Sequence, residues 1–73
     1  MKKDETILKL GHIIKFARSK KNITQEQLVE LTNISKSTIA NLECGIGNPT
    51  FKTIYQIGKA LDIDMGVLNN FQL

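Results

Sequence analysis

Lys36, Ser37, Thr38, Ala40 and Asn41 crowd into one short segment, and all lie off the apolar pair Ile39 and Leu42. On a helix that pattern leaves one side carrying an ammonium, two hydroxyls and a carboxamide. Such groups suit the edges of base pairs. Lysine donates to guanine O6 and N7, asparagine pairs bidentately with adenine, and serine donates or accepts. Ala40 is small enough to let a helix approach closely and to set its methyl against that of a thymine. A second set, Thr24 at one predicted helix start and Asn48, Thr50 and Lys52 in the loop leading into another and at its start, lies where unpaired backbone N–H groups attract anions. A solvated helix face would explain any one of these residues; it explains the set poorly. Other chemistry is missing. There is no nucleophile–base pair, Gly-rich phosphate loop or carboxylate dyad, so no enzyme is expected. His12 has no cysteine or second histidine near it, so no metal site is expected either.

The elements that must carry this face can be read from the stretch Ile23–Gly45. Thr24 caps one helix and Gln27, at the third helical position, completes a capping box. Ser35 caps the next helix, and Gly45 follows its last apolar residue as a stop. Ile23 with Leu28 and Ile34 with Ile39 form two successive hydrophobic staples. So short a connection forces the two helices to cross steeply, as in a helix-turn-helix whose second helix is open on one side.

Around this motif, helix 1 is expected over about 5–21, with Ile7, Leu10, Ile14 and Ala17 inward and Asn22 as a left-handed stop. Helix 2 is expected over about 25–32, burying Leu28 and Val29, with Asn33 left-handed in the turn; helix 3 over about 36–44. After the Gly45–Pro49 loop, Thr50 caps helix 4 over about 51–61, with Phe51, Ile54, Ile57 and Leu61 inward. Asp64 caps a last short helix near 65–70, where Ile63 and Leu68 repeat the staple. The expectation is an all-α, five-helix fold. The whole chain, 1–73, reads as one helix-turn-helix domain, with the motif at about 24–45 and the C-terminal helix at about 64–70.

A chain of 73 residues with 41% apolar and 5% aromatic content must build its small core from Ile, Leu and Val. One cysteine, Cys44, rules out an intramolecular disulfide and any multi-cysteine zinc site, and fits a reducing, cytoplasmic setting. No apolar run approaches the roughly 20 residues of a membrane span. Charged residues interrupt any signal-peptide core near the start. The net charge of +3 favours a polyanionic partner, and the lysines of the middle of the chain fall near helix ends.

With these residues in place, the chain resembles the lambda-repressor-like helix-turn-helix family, the Cro/repressor or XRE type of bacterial and phage regulators. The likeness runs from Leu10 to Leu68. It is carried by Leu10-Gly11, Arg18, Ile23-Thr24-Gln25-Glu26-Gln27-Leu28, Ile34-Ser35-Lys36-Ser37-Thr38-Ile39, Leu42-Glu43, Gly45, Asn48-Pro49-Thr50 and Ile57-Gly58-Lys59-Ala60-Leu61-Asp62-Ile63. The resemblance implies a five-helix domain that binds double-stranded DNA and regulates transcription, as a repressor, with no cofactor. It makes Lys36, Ser37 and Asn41 the base readers, with Thr38 at the groove or a phosphate. It places Gln25 on a phosphate while bracing helix 3, and pairs Arg18 with Glu43 as a structural ion pair. Asn33 stands where the family has Gly, Thr32 replaces a usual Leu, and Gly66-Val67 replace an acidic pair. Phe16 and Leu31 occupy positions that are normally polar, and Cys44 another.

One such helix reads few base pairs, so a homodimer on a near-palindromic operator is expected. Val67, Leu68, Phe71 and Leu73 are the expected seam. Phe16 and Leu31 form a second apolar patch and mark the rival function, a protein-interaction module such as an antitoxin or adaptor. No membrane partner and no small-molecule effector are expected.

Overall fold

The computed structural model describes residues 5–64 and 66–67. Its helices are α1 (Glu5–Lys20), α2 (Gln25–Thr32), α3 (Lys36–Glu43) and α4 (Phe51–Ala60). Three places in the chain share one local pattern: Asn22-Ile23-Thr24, Asn33-Ile34-Ser35 and Asp62-Ile63-Asp64. In each the first residue is left-handed, with φ of 58°, 60° and 56°, a conformation that asparagine and aspartate tolerate better than other side-chain-bearing residues. The isoleucine that follows packs against the core. Thr24 and Ser35 then cap α2 and α3 through bonds from the N–H of Gln27 and Thr38. At Asp64 the Oδ1 accepts from the N–H of Gly66 at 2.8 Å.

These stops differ in one useful way. α1 and α4 end in paired closing bonds, Ile23 N–H to Arg18 C=O with Asn22 N–H to Ser19 C=O, and Ile63 N–H to Gly58 C=O with Asp62 N–H to Lys59 C=O. α3 ends the same way through Ile46 and Gly45, the latter at φ 76°. α2 has only the shorter bond, Asn33 N–H to Val29 C=O at 2.7 Å. The Ile34 N–H goes instead to Thr32 Oγ1 at 3.2 Å, while that hydroxyl donates to Leu28 C=O. Thr32 thus satisfies the backbone of the tight α2–α3 turn.

α1 and α2 both pack on α3, and α2 also packs on α4. The core is Ile7, Leu10 and Ile14 of α1, Leu28 of α2, Ile39 and Leu42 of α3, and Ile54, Ile57 and Leu61 from α4 and its cap. Burying each such side chain is worth about 1.5–3 kcal/mol. Gly11 sets the α1–α3 distance: a Cβ there would lie 2.2 Å from the carbonyl oxygen of Leu42.

Several expectations need correcting. The described residues hold four helices, not five. Of the expected C-terminal helix, Gly66 and Val67 are helical, with Val67 N–H on Asp64 C=O; the remainder lies outside the described residues. Helices 1, 3 and 4 each end one residue earlier than expected, at Lys20, Glu43 and Ala60. Val29, expected buried, packs against the core but is only half-buried, and Phe51, expected inward, is 69% exposed. Phe51 opens α4 at the margin of the stripe centred on Ile54, Ile57 and Leu61. Its ring stacks on Tyr55 of its own helix, centroids 6.3 Å apart.

Candidate nucleic-acid interface

Burial divides α3 along its length. Ile39, Leu42 and Glu43 are buried, Ala40 is half-buried, and Lys36, Ser37, Thr38 and Asn41 are exposed. The side chains of Ser37 and Asn41 have no hydrogen-bond partner among the described residues, so their donors and acceptors are available. Thr38 is partly engaged, its Oγ1 accepting from the Ser35 hydroxyl at 2.9 Å. Asn41 and Thr38 share a shallow groove of about 200 Å³ with Ile46, Gly47, Asn48 and Pro49. That groove brings Asn48 beside the polar side of α3.

The start of α2 lies close to α3. Gln25 and Glu26 are neighbours in sequence, yet their side chains reach opposite ends of α3. Gln25 Nε2 donates to Glu43 Oε1 at 3.1 Å, while Glu26 Oε2 accepts from Lys36 Nζ at 2.5 Å. Thr24, just before them, is committed to its capping box: it accepts from Gln27 N–H, and its own N–H donates to Gln27 Oε1. Thr50 caps α4 by accepting from Thr53 N–H at 3.1 Å. Lys52 is exposed and makes no ion pair among the described residues. Thr24, Gln25, Thr50 and Lys52 therefore sit at the first turns of α2 and α4, but the two threonines also hold those turns together.

Behind the face, α1 is tied to α3 by a two-point contact. Arg18 Nε donates to Glu43 Oε2 at 2.7 Å and Arg18 Nη2 to Glu43 Oε1 at 3.0 Å. Arg18 Nη1 spends its remaining reach on Ile23 C=O at 2.8 Å. With side chains 14% and 3% exposed, the pair is largely out of water, so every donor and acceptor must be matched. They are matched: no buried side-chain nitrogen or oxygen among the described residues lacks a partner. The hydrogen bond to Glu43 pushes the Arg18 guanidinium further up, against the opposing effect of burial. Arg18, Glu43 and Gln25 thus link three helices through one carboxylate.

The Lys36–Glu26 pair was not anticipated from sequence. The two residues lie ten positions apart on different helices, and pairing across a turn has no fixed spacing to reveal it. The lysine's hydrogen bond holds the Glu26 carboxyl below the ordinary carboxylate range, helped by a backbone hydrogen bond and by the lysine's charge. Lys21 is similarly occupied, bound to Asp62 at 2.7 Å.

The apolar residues resolve differently from expectation. Phe16 is 69% and Leu31 60% exposed, and they line different grooves. Leu31 lines a groove between α2 and α4 with Tyr55, Gln56 and Lys59, whereas Phe16 lines another with Ile13, Leu61, Ile63 and Val67. Val67 is exposed; Leu68, Phe71 and Leu73, the rest of the expected seam, lie outside the described residues. Among the described residues no cluster of potential metal ligands occurs, and no helix is long and apolar enough to cross a membrane.

Comparison with known proteins agrees with this geometry. A family profile described as helix-turn-helix matches residues 14–68. The immunity repressor protein of Bacillus phage phi105 is 34% identical over 59 residues, covering 81% of this chain but 41% of the repressor. The chain thus spans less than half the length of that relative. The ImmF control region 10 kDa protein of the same phage is 30% identical over 60 residues, 82% of this chain and 67% of that protein. An uncharacterized HTH-type transcriptional regulator of Archaeoglobus fulgidus is 39% identical over 49 residues, 67% of this chain and 69% of the other. Among solved structures, the wild-type restriction-modification controller protein C.Esp1396I aligns with a TM-score of 0.82 at 28% identity, over 94% of this chain and 88% of that one.

Proposed function

The chain belongs to the helix-turn-helix family of lambda-repressor-like, XRE-type transcriptional regulators, and on that premise we propose that it represses transcription by binding double-stranded DNA in a sequence-specific manner. α3 enters the major groove. Lys36, Ser37, Thr38 and Asn41 face base edges, while Thr24, Gln25, Asn48, Thr50 and Lys52 hold phosphates on either side. Arg18 and Glu43 do not touch DNA in this reading; they fix the angle at which α3 leaves the bundle.

The observation that carries the reading is the open polar side of α3. A helix whose apolar side is fully packed, and whose other side holds unpartnered amide and hydroxyl groups, has the form that groove reading needs. The similarity to a phage immunity repressor favours repression over activation. The Cα trace extends 27 Å along its longest axis, short of the roughly 34 Å between successive major-groove faces. Two copies related by a two-fold axis would span them, with Val67, Leu68, Phe71 and Leu73 at the seam.

Selection of duplexes from a random pool tests this. A near-palindromic consensus is expected, and the combined variant Lys36→Ala, Ser37→Ala, Asn41→Ala should fold normally yet lose it. Absence of enrichment over bulk DNA would contradict the reading. It would favour instead a protein-interaction module built on the exposed Leu31 or Phe16.

A further inference from the structure

Glu26 and Lys36 form an ion pair that neither the fold nor the ordinary stability of the bundle requires. Their side chains are 65% and 58% exposed, and a pair so open to water contributes little to folding. Its placement is what matters. Lys36 is the first residue of α3 and Glu26 lies in the first turn of α2, so the contact fixes an ammonium at the head of the helix assigned to the groove. A free lysine is a poor reader of sequence. Its four-carbon stem is flexible, its charge is compact, and it binds any phosphate within reach.

We propose that Glu26 is a positioning residue that makes Lys36 a directional reader of a guanine edge. This rests on the reading that α3 faces base pairs. Glu26 occupies one of the three ammonium donors and leaves two, the number that O6 and N7 of guanine can accept. It also restrains the stem before DNA arrives, so less side-chain freedom is lost on binding. At the same time its carboxylate offsets the lysine's charge, which weakens sequence-independent attraction to phosphates. The two effects act in opposite senses on cognate and bulk DNA: positioning raises discrimination, and neutralisation lowers non-specific affinity.

Glu30 is the internal control. It lies on the same helix, is exposed, and its side chain makes no hydrogen bond or ion pair among the described residues. Random-pool selection and salt-dependent binding are measured for the wild type, Glu26→Ala, Lys36→Ala, the double variant and Glu30→Ala. Glu26→Ala is expected to reduce guanine preference at one position per half-site by about fivefold or more, within the range a bidentate contact supplies. Its binding to bulk DNA should strengthen, with the slope of log K against log salt steeper by about 0.9. Lys36→Ala should lose the same preference, and the double variant should lose no more. Glu30→Ala should leave the consensus unchanged. The proposal is overturned if Glu26→Ala keeps the guanine preference while Lys36→Ala loses it. It is equally overturned if Glu26→Ala and Glu30→Ala behave alike in both measurements, since charge removal alone would then suffice. If the wild type selects no sequence, or Lys36→Ala retains the consensus, the parent reading of Lys36 fails and this inference with it.

Discussion

Glu43 is charged, its side chain only 3% exposed, and it holds Arg18 and Gln25 together through its two oxygens. Removing either charge strands the other in a place water barely reaches. Arg18→Ala or Glu43→Ala should therefore destabilise the fold by about 3–5 kcal/mol, read as a lower denaturant midpoint. Replacing both, Arg18→Met with Glu43→Leu, should cost less than the sum of the single changes, because no unpaired charge remains. A surface pair behaves differently. The Glu26 carboxyl is held low, so the pair's contribution is full above the ordinary glutamate pKa and is lost as pH falls through the depressed folded value. An NMR titration should place Glu26 below ordinary glutamates, and Lys36→Ala should return it towards them. At this scale the sequence was unevenly legible. The Arg18–Glu43 pairing could be read only through family resemblance, since 25 residues separate the partners. The Glu26–Lys36 contact depends on how two helices cross, which no local spacing encodes.

At the scale of elements, the helix ends were legible to within a residue because their causes are local. A side chain caps the starts of α2, α3 and α4, and an asparagine, aspartate or glycine at positive φ follows each helix end. Asn33 shows why the identity matters. Asn33→Gly should keep or slightly improve stability, whereas Asn33→Ala should cost about 1–2 kcal/mol, since most side chains clash in the left-handed region. Thermal unfolding of the two variants checks the sign. Gly11→Ala offers a sharper contrast. Helix propensity by itself would favour alanine by about 1 kcal/mol, but the new methyl would meet the Leu42 carbonyl at 2.2 Å. The packing term should win, and α1 must move off α3. Phe51 is exposed despite its place near the stripe because periodicity tells which residues share a face but not how much of that face is covered. Thr32 has a role that no periodicity shows: it closes the turn that sets α3 against α2.

In the molecule taken whole, the packed side of α3 serves the bundle and its open side is the one proposed to serve DNA. Much of the attraction would come from phosphates, so affinity should fall steeply with salt. A protein making about six such contacts loses roughly a thousandfold between 50 and 200 mM. The separation of Phe16 and Leu31 into different grooves was beyond the sequence, because it depends on where α4 and Val67 lie. The most direct test is to add a selected duplex to labelled protein and follow the backbone amides by NMR. The largest shifts should fall on Lys36, Ser37, Thr38 and Asn41, with smaller ones at the first turns of α2 and α4. Shifts gathered around Leu31 and Tyr55, or around Phe16, with α3 unchanged, would contradict the central claim.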